Sequence, residues 1–161
     1  MKRFRLAASL LVAGGASALA QRTDELVNDG KNPDNVTTQS MGYARQSYSP
    51  LKQINASNVK RLLPIWNTSV MNDMGELASP TVYNGVMYVI NGKWTFALDV
   101  QTGRQIWRTP VVLEEGTVGA PITRGAATIY NGKLFRVTYD NHLIALDMKT
   151  GRGSLEPEIR G

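Results

Sequence analysis

Apolar and polar positions divide the chain into unlike stretches. Residues 6–19 are an apolar stretch built mainly from Leu, Ala, Val and Gly. Residues 21–49 are polar, rich in Asn, Thr, Gln and Asp, and show no sustained period apart from a short helix expected near residues 23–27. Past Tyr48-Ser49-Pro50-Leu51 the pattern becomes strand-like, with short β-branched and aromatic runs separated by turn residues.

Within that strand-like region the chain repeats itself. Val82-Tyr83-Asn84-Gly85-Val86-Met87-Tyr88-Val89 is followed by Phe96-Ala97-Leu98-Asp99-Val100-Gln101-Thr102-Gly103-Arg104. The second copy is Ile129-Tyr130-Asn131-Gly132-Lys133-Leu134-Phe135-Arg136, then Ile144-Ala145-Leu146-Asp147-Met148-Lys149-Thr150-Gly151-Arg152. The spacing is about 47 residues, and short strands repeating at roughly 40–50 residues mark the blades of a β-propeller. Asn84-Gly85 and Asn131-Gly132 predict tight hairpins, because both residue types tolerate the positive φ of a type I′ turn. Asp99 is placed to accept amides of the turn that follows it, and Gly103 to take its left-handed position.

Gln105-Ile106-Trp107-Arg108 then reads as an outer strand, with Trp107 packing between neighbouring blades. Leu63-Pro64-Ile65-Trp66 reads as the same strand one blade earlier. In the second copy that strand is predicted to be missing. Gly153, Pro157 and the charges of residues 153–161 oppose one, so the pattern predicts a repeat cut off mid-blade, as a frameshifted or truncated reading frame would give. Two blades cannot close a ring, and exposed blade edges predict aggregation or proteolysis.

The first twenty residues are expected to be an address rather than structure. Lys2, Arg3 and Arg5 precede the apolar stretch, and Ala18-Leu19-Ala20 gives the small-x-small pattern of a cleavage site after Ala20. About 14 apolar residues fall short of the roughly 20 that a spanning helix needs. Cleavage would leave no membrane span and would export the chain. It also changes the charge. Three of the 18 basic residues and none of the 13 acidic ones lie in the leader, so the excess falls from +5 to +2. The remaining Lys and Arg are scattered, which gives nucleic-acid binding no support. With no cysteine and a single histidine, His142, a thiolate nucleophile, a zinc–cysteine site and a multi-histidine site are excluded. His142 is expected in a turn, exposed to solvent. The expected organisation is leader 1–20, polar segment 21–50, blades 51–152 and aberrant tail 153–161.

Tyr48-Ser49-Pro50-Leu51-Lys52-Gln53-Ile54-Asn55, Asn58-Val59 and Leu63-Pro64-Ile65-Trp66 resemble the opening segment of quinoprotein alcohol dehydrogenases of the methanol/ethanol type. Ala97-Leu98-Asp99 through Thr102-Gly103 to Trp107-Arg108 is similar to the tryptophan docking motif that ties their blades together. The resemblance covers roughly residues 39–152. It implies an all-β chain, a partial propeller of about two blades of an eight-bladed ring. It also implies periplasmic oxidation of an alcohol by pyrroloquinoline quinone (PQQ), with Ca²⁺ beside the quinone and a cytochrome as electron acceptor.

The same resemblance implies two cofactor contacts. Glu76, within Gly75-Glu76-Leu77-Ala78-Ser79-Pro80, matches a glutamate at the carboxylate region of the quinone. Arg124, within Thr123-Arg124-Gly125-Ala126-Ala127, matches an arginine that pairs with a quinone carboxylate, for which a planar guanidinium is well suited. From position alone, a strand-start surface glutamate and a loop-exposed arginine remain open readings. Many relatives carry two adjacent cysteines shortly before that arginine, where this chain has Val118-Gly119. The family's general base and Ca²⁺ ligands are expected beyond Gly161, so no catalytic or metal-binding residue is assigned; Asp99 and Asp147 are expected to be structural. The chain is therefore expected to be inactive alone. The competing reading is a non-catalytic propeller scaffold of the same superfamily, although the lipoproteins of that class need a cysteine that is absent here.

Overall fold

Each Asn-Gly pair reverses the chain because both of its residues occupy the left-handed region. The computed structural model describes residues 22–71, 77–118 and 124–158; the leader 1–20 lies outside them. Asn84 and Gly85 have φ of 49° and 76°, and Asn131 and Gly132 have 47° and 75°. They join β2 (Thr81–Tyr83) to β3 (Val86–Ile90) and β7 (Thr128–Tyr130) to β8 (Lys133–Val137) as two-residue hairpins. β4 (Trp94–Asp99) and β5 (Gln105–Pro110) complete the first sheet, in the order β2-β3-β4-β5. β9 (His142–Asp147) and β10 (Gly153–Glu158) complete the second, β7-β8-β9-β10. A third, two-stranded sheet joins them: β1 (Leu77–Ala78) runs parallel to β6 (Arg124–Gly125).

Two antiparallel four-stranded meanders, each one repeat long, define part of a β-propeller whose ring is not closed. Successive turns of a meander alternate between its two ends. The Asn-Gly hairpins and the Thr-Gly turns therefore share one end of the sheets. The β3–β4 and β8–β9 turns, the β5-to-β6 connection and the starts of the innermost strands share the other.

At the first end, the repeated Asp builds the turn. Asp99 Oδ1 accepts the Gln101 amide (3.1 Å), the Thr102 amide (2.8 Å) and the Thr102 hydroxyl (2.7 Å). Asp147 does the same with Lys149 and Thr150. The glycine that closes each turn serves a second purpose. A Cβ on Gly103 would lie 2.5 Å from the Trp66 ring, and one on Gly151 would lie 2.6 Å from the Trp107 ring. Each indole lies against the glycine one repeat later and donates its N–H there: Trp66 to the Val100 carbonyl (2.9 Å), Trp107 to the Met148 carbonyl (3.0 Å).

The two sheets share one core. Tyr83, Tyr88, Ile90, Ala97 and Trp107 of the first pack with Ala127, Ile129, Leu134, Ile144, Leu146 and Met148 of the second. Burial of each large side chain contributes about 1.5–3 kcal/mol. Polar bonds cross the same interface. The Thr81 hydroxyl donates to the Ala127 carbonyl (2.9 Å), Tyr88 to the Met148 carbonyl (3.3 Å) and Thr109 to the Gly151 carbonyl (2.6 Å). Arg136, 3% exposed, reaches from β8 into the first sheet. Its guanidinium donates to the Asn91 carbonyl (2.7 Å), the Trp94 carbonyl (2.9 Å) and the Thr95 hydroxyl (3.1 Å). Burial pulls its pKa down to about 10, which leaves it charged at neutral pH.

Three expectations are corrected. The outer strand of the second copy is present: β10 pairs antiparallel with β9 through Gly153↔Leu146, Ser154↔Ala145, Leu155↔Ile144 and Glu158↔His142. Gly153 and Pro157 are tolerated because β10 is an edge strand with a register shift between Leu155 and Glu158. Conversely, Leu63-Pro64-Ile65-Trp66 forms no ladder among the described residues, and its segment is irregular with Leu63 and Ile65 each 82% exposed. A strand requires a neighbour, and none of the described strands lies beside this one. His142 is not a solvated turn residue either. It opens β9 and its side chain is 18% exposed.

The polar segment is better ordered than its lack of period suggests. α1 spans Thr23–Val27 as expected. Asp29, 2% exposed, accepts the amides and hydroxyls of both Thr37 and Thr38 at 2.7–2.9 Å. This clamp presents Val36 to β2, where Val36 and Val82 exchange two 2.8 Å backbone bonds. Tyr83 donates to Glu25 and the Asn84 amide to Asn35, at 3.0 Å each.

Candidate cofactor-binding site

Arg124, one of the two sequence-derived candidates, lies at the end of the sheets opposite the Thr-Gly turns. Arg124 is the first residue of β6, and its Cα partner in the parallel pair is Leu77. Ala78 pairs with Gly125. Glu76 lies outside the described residues, but it is joined by a peptide bond to Leu77. Each two-residue strand leads into the innermost strand of a sheet: β1 through Ser79-Pro80 into β2, and β6 through Ala126-Ala127 into β7. The bond from Thr81 to Ala127 fixes the spacing of these two lead-ins. The pairing thus brings Arg124 beside the strand that begins one residue after Glu76.

Such an arrangement suits a planar polyanion. A guanidinium offers paired N–H donors to a carboxylate of such a ligand. A tricarboxylate such as PQQ fits this donor set in its chemistry. A divalent cation is a different matter. Among the described residues no three His, Cys, Asp or Glu side chains are gathered as a metal ion would require. Val118, at the first of the two positions where many quinoproteins carry cysteine, is 89% exposed; Gly119 lies outside the described residues.

Two features of this end escape a reading of the sequence. One is Arg136, whose only trace is a departure within the repeat: its counterpart in the first copy is Val89. The other is a cluster around Asp140 in the β8–β9 turn. Asp140 Oδ2 accepts the Glu114 amide (2.8 Å) from the connection that leads toward β6. Its Oδ1 accepts the Thr138 hydroxyl and lies 3.3 Å from His142 Nδ1. Glu114 Oε1 lies 3.5 Å from His142 Nε2. Burial pushes the Asp140 pKa up, but the Thr138 hydroxyl, the Glu114 amide and His142 outweigh it and hold the carboxyl below its ordinary value. The partners are 26 residues apart, beyond any local pattern.

Comparison with known proteins fits this class. A family model described as "Glucose/ethanol/alcohol dehydrogenase, beta-propeller domain", of the PQQ proteins, matches residues 38–156. The quinoprotein alcohol dehydrogenase PedH of Pseudomonas putida is 35% identical over 153 residues, which cover 91% of this chain and 25% of that protein. The structure of a quinohemoprotein alcohol dehydrogenase from Comamonas testosteroni superposes with a TM-score of 0.73 at 29% identity, over 88% of this chain and 22% of that one. A europium-containing methanol dehydrogenase gives 0.72 at 33% identity, over 81% and 24%. The chain belongs to the PQQ-dependent alcohol dehydrogenase propeller family. It spans about a quarter of the length of the relatives it matches.

Proposed function

We propose that this chain supplies part of the quinone cradle of a PQQ-dependent alcohol dehydrogenase, with Arg124 and Glu76 binding the carboxylate region of the cofactor. The observation that carries this reading is the β1–β6 pair, which sets Leu77 against Arg124 in a chain of this family. When bound, PQQ supplies the electron acceptor for oxidation of the alcohol to a carbonyl. Arg124 would hold a carboxylate of the quinone and fix its orientation between the two lead-ins. Glu76, the residue before β1 in the sequence, would complete the cradle. The general base and the Ca²⁺ ligands are taken to lie in blades that this chain does not contain, so the 161 residues alone are inactive. The charged and apolar pattern of residues 1–20 supports export to the periplasm, where a cytochrome would receive the electrons. Among the described residues no helix is long and apolar enough to cross a membrane.

Acceptor-dye reduction with PQQ, Ca²⁺ and a primary alcohol tests this. The chain alone is expected to give no turnover. Fused to the three-quarters of a quinoprotein ethanol dehydrogenase that it does not span, it is expected to restore alcohol-dependent reduction. Arg124→Ala in the fusion should raise the quinone concentration for half-maximal rate about tenfold or more, as loss of a charge-assisted bond would. Turnover by the chain alone, or a fusion indifferent to Arg124→Ala, would overturn the reading.

A further inference from the structure

Three Asn-Gly pairs occur in the chain, at Asn84, Asn91 and Asn131, and the fold treats them differently. An asparagine followed by glycine is open to attack of the glycine nitrogen on its side-chain amide, because glycine has no Cβ to obstruct the approach. Ring closure moves that nitrogen out of its place in the turn. It therefore needs a side chain free of partners and a turn that opens locally. Asn91, in the β3–β4 turn, meets neither condition. It is 1% exposed, its Oδ1 accepts the Lys93 and Trp94 amides (2.9 and 2.7 Å), and its Nδ2 donates to the Val70 carbonyl (2.8 Å). Asn84 is exposed, but its hairpin is tied down. Its amide donates to Asn35 Oδ1 (3.0 Å), and Val82 of β2 exchanges two backbone bonds with Val36. Asn131 has neither protection. It is exposed at the tip of the β7–β8 hairpin, and no hydrogen bond to its side chain or amide is formed among the described residues. Thr128 and Tyr130 of β7 are exposed where Thr81 and Tyr83 of β2 are buried. Beside them an open cleft against α1, lined by Arg22, Asp24 and Asn28, gives water access to Asn131.

We propose that Asn131-Gly132 is a self-modification site, at which the Gly132 nitrogen displaces the Asn131 side-chain amide as ammonia. The nitrogen gives up its proton to hydroxide and bonds to Asn131 Cγ. The carboxamide C–N bond breaks, ammonia leaves, and a five-membered succinimide closes. Water then adds to one of the two ring carbonyls, and the ring C–N bond at that carbon breaks to give aspartate or isoaspartate. One water is consumed, one ammonia is released, and no electrons are transferred. In isoaspartate the backbone runs through the side-chain carbon and is one methylene longer. A two-residue type I′ turn cannot absorb that length without loosening the β7–β8 register. Either product adds a negative charge to a cleft that Arg22 lines.

The test is peptide mapping by mass spectrometry of the full chain held in mildly alkaline buffer, following the amide-to-acid change at all three pairs. Asn131 should convert first. Asn84 should follow about tenfold more slowly, as one further hydrogen bond on its turn would give, and Asn91 should stay intact. In urea the three rates should converge, because the pairs share their chemistry and differ only in the fold around them. Asn35→Ala unties the first hairpin and should bring Asn84 toward the rate of Asn131 while leaving Asn131 unchanged. Conversion of Asn84 or Asn91 ahead of Asn131 in the folded chain, or three equal rates before urea is added, would overturn the assignment. An Asn84 rate indifferent to Asn35→Ala would overturn the account of why the first hairpin is protected.

Discussion

Gly151 is where residue identity weighs most heavily. Its φ is +69°, and a Cβ there would meet the Trp107 ring at 2.6 Å and the Thr109 hydroxyl at 2.8 Å. Left-handed backbone alone costs a side-chain-bearing residue about 1–2 kcal/mol, and Trp107 would also have to leave its hydrogen bond to Met148. Gly151→Ala is expected to lower stability by about 2–4 kcal/mol in urea unfolding; a loss under about 0.5 kcal/mol would mean that the indole does not rest on this glycine. The aspartates of the same turns set a pH dependence. The Thr102 hydroxyl first, then backbone amides, hold Asp99 below the usual carboxylate range, and Thr150 does the same for Asp147. A carboxyl depressed in the folded state stabilises it fully above its unfolded value of about 3.9 and loses that contribution as pH falls through the lower folded value. Stability should therefore be flat near neutrality and fall below about pH 4. In Asp99→Asn/Asp147→Asn the fall should be shallower, measured by the urea midpoint against pH. An equally steep fall would assign it to other groups.

The contrast between elements shows what a sequence discloses. The Asn-Gly hairpins, the Thr-Gly turns and α1 are where the pattern placed them, because each depends on backbone conformations that local residues dictate. Both outer-strand expectations failed for the opposite reason. Gly153–Glu158 is a strand because β9 presents an open edge to it, whereas the Leu63-Pro64-Ile65-Trp66 segment has strand-like residues and no strand beside it among the described residues. Trp66 nonetheless docks on Gly103 without a ladder, so the indole contact and the strand are separable. The candidate site divides along the same line. Arg124 and Glu76 are candidates through family likeness, whereas Glu114 and Arg136 find partners 26 to 45 residues away, beyond any local pattern. The polar segment adds a similar case. Asp29 accepts four hydrogen bonds in a buried position. Asp29→Ala leaves those donors unmatched and should cost about 2–4 kcal/mol. The Val36 amide should then exchange much faster than that of Tyr88, by hydrogen-exchange mass spectrometry. Unchanged protection at Val36 would show that the bridge to β2 stands without the clamp.

At the scale of the whole molecule, two repeats are joined by apolar burial, the docked Trp107 indole and the buried Arg136 guanidinium into a single body. Arg136 belongs to this level, since it crosses from the second sheet to the β3–β4 turn of the first. The β1–β6 pair is the narrowest element of the fold and the one on which the functional reading depends. The decisive measurement is a PQQ titration of the ¹⁵N-labelled chain, with Arg124→Ala alongside. Weak binding is expected, with shifts centred on the amides of Leu77, Ala78, Arg124 and Gly125 that disappear in Arg124→Ala. Shifts centred elsewhere, or persisting unchanged in Arg124→Ala, would contradict a quinone cradle at this pair of strands.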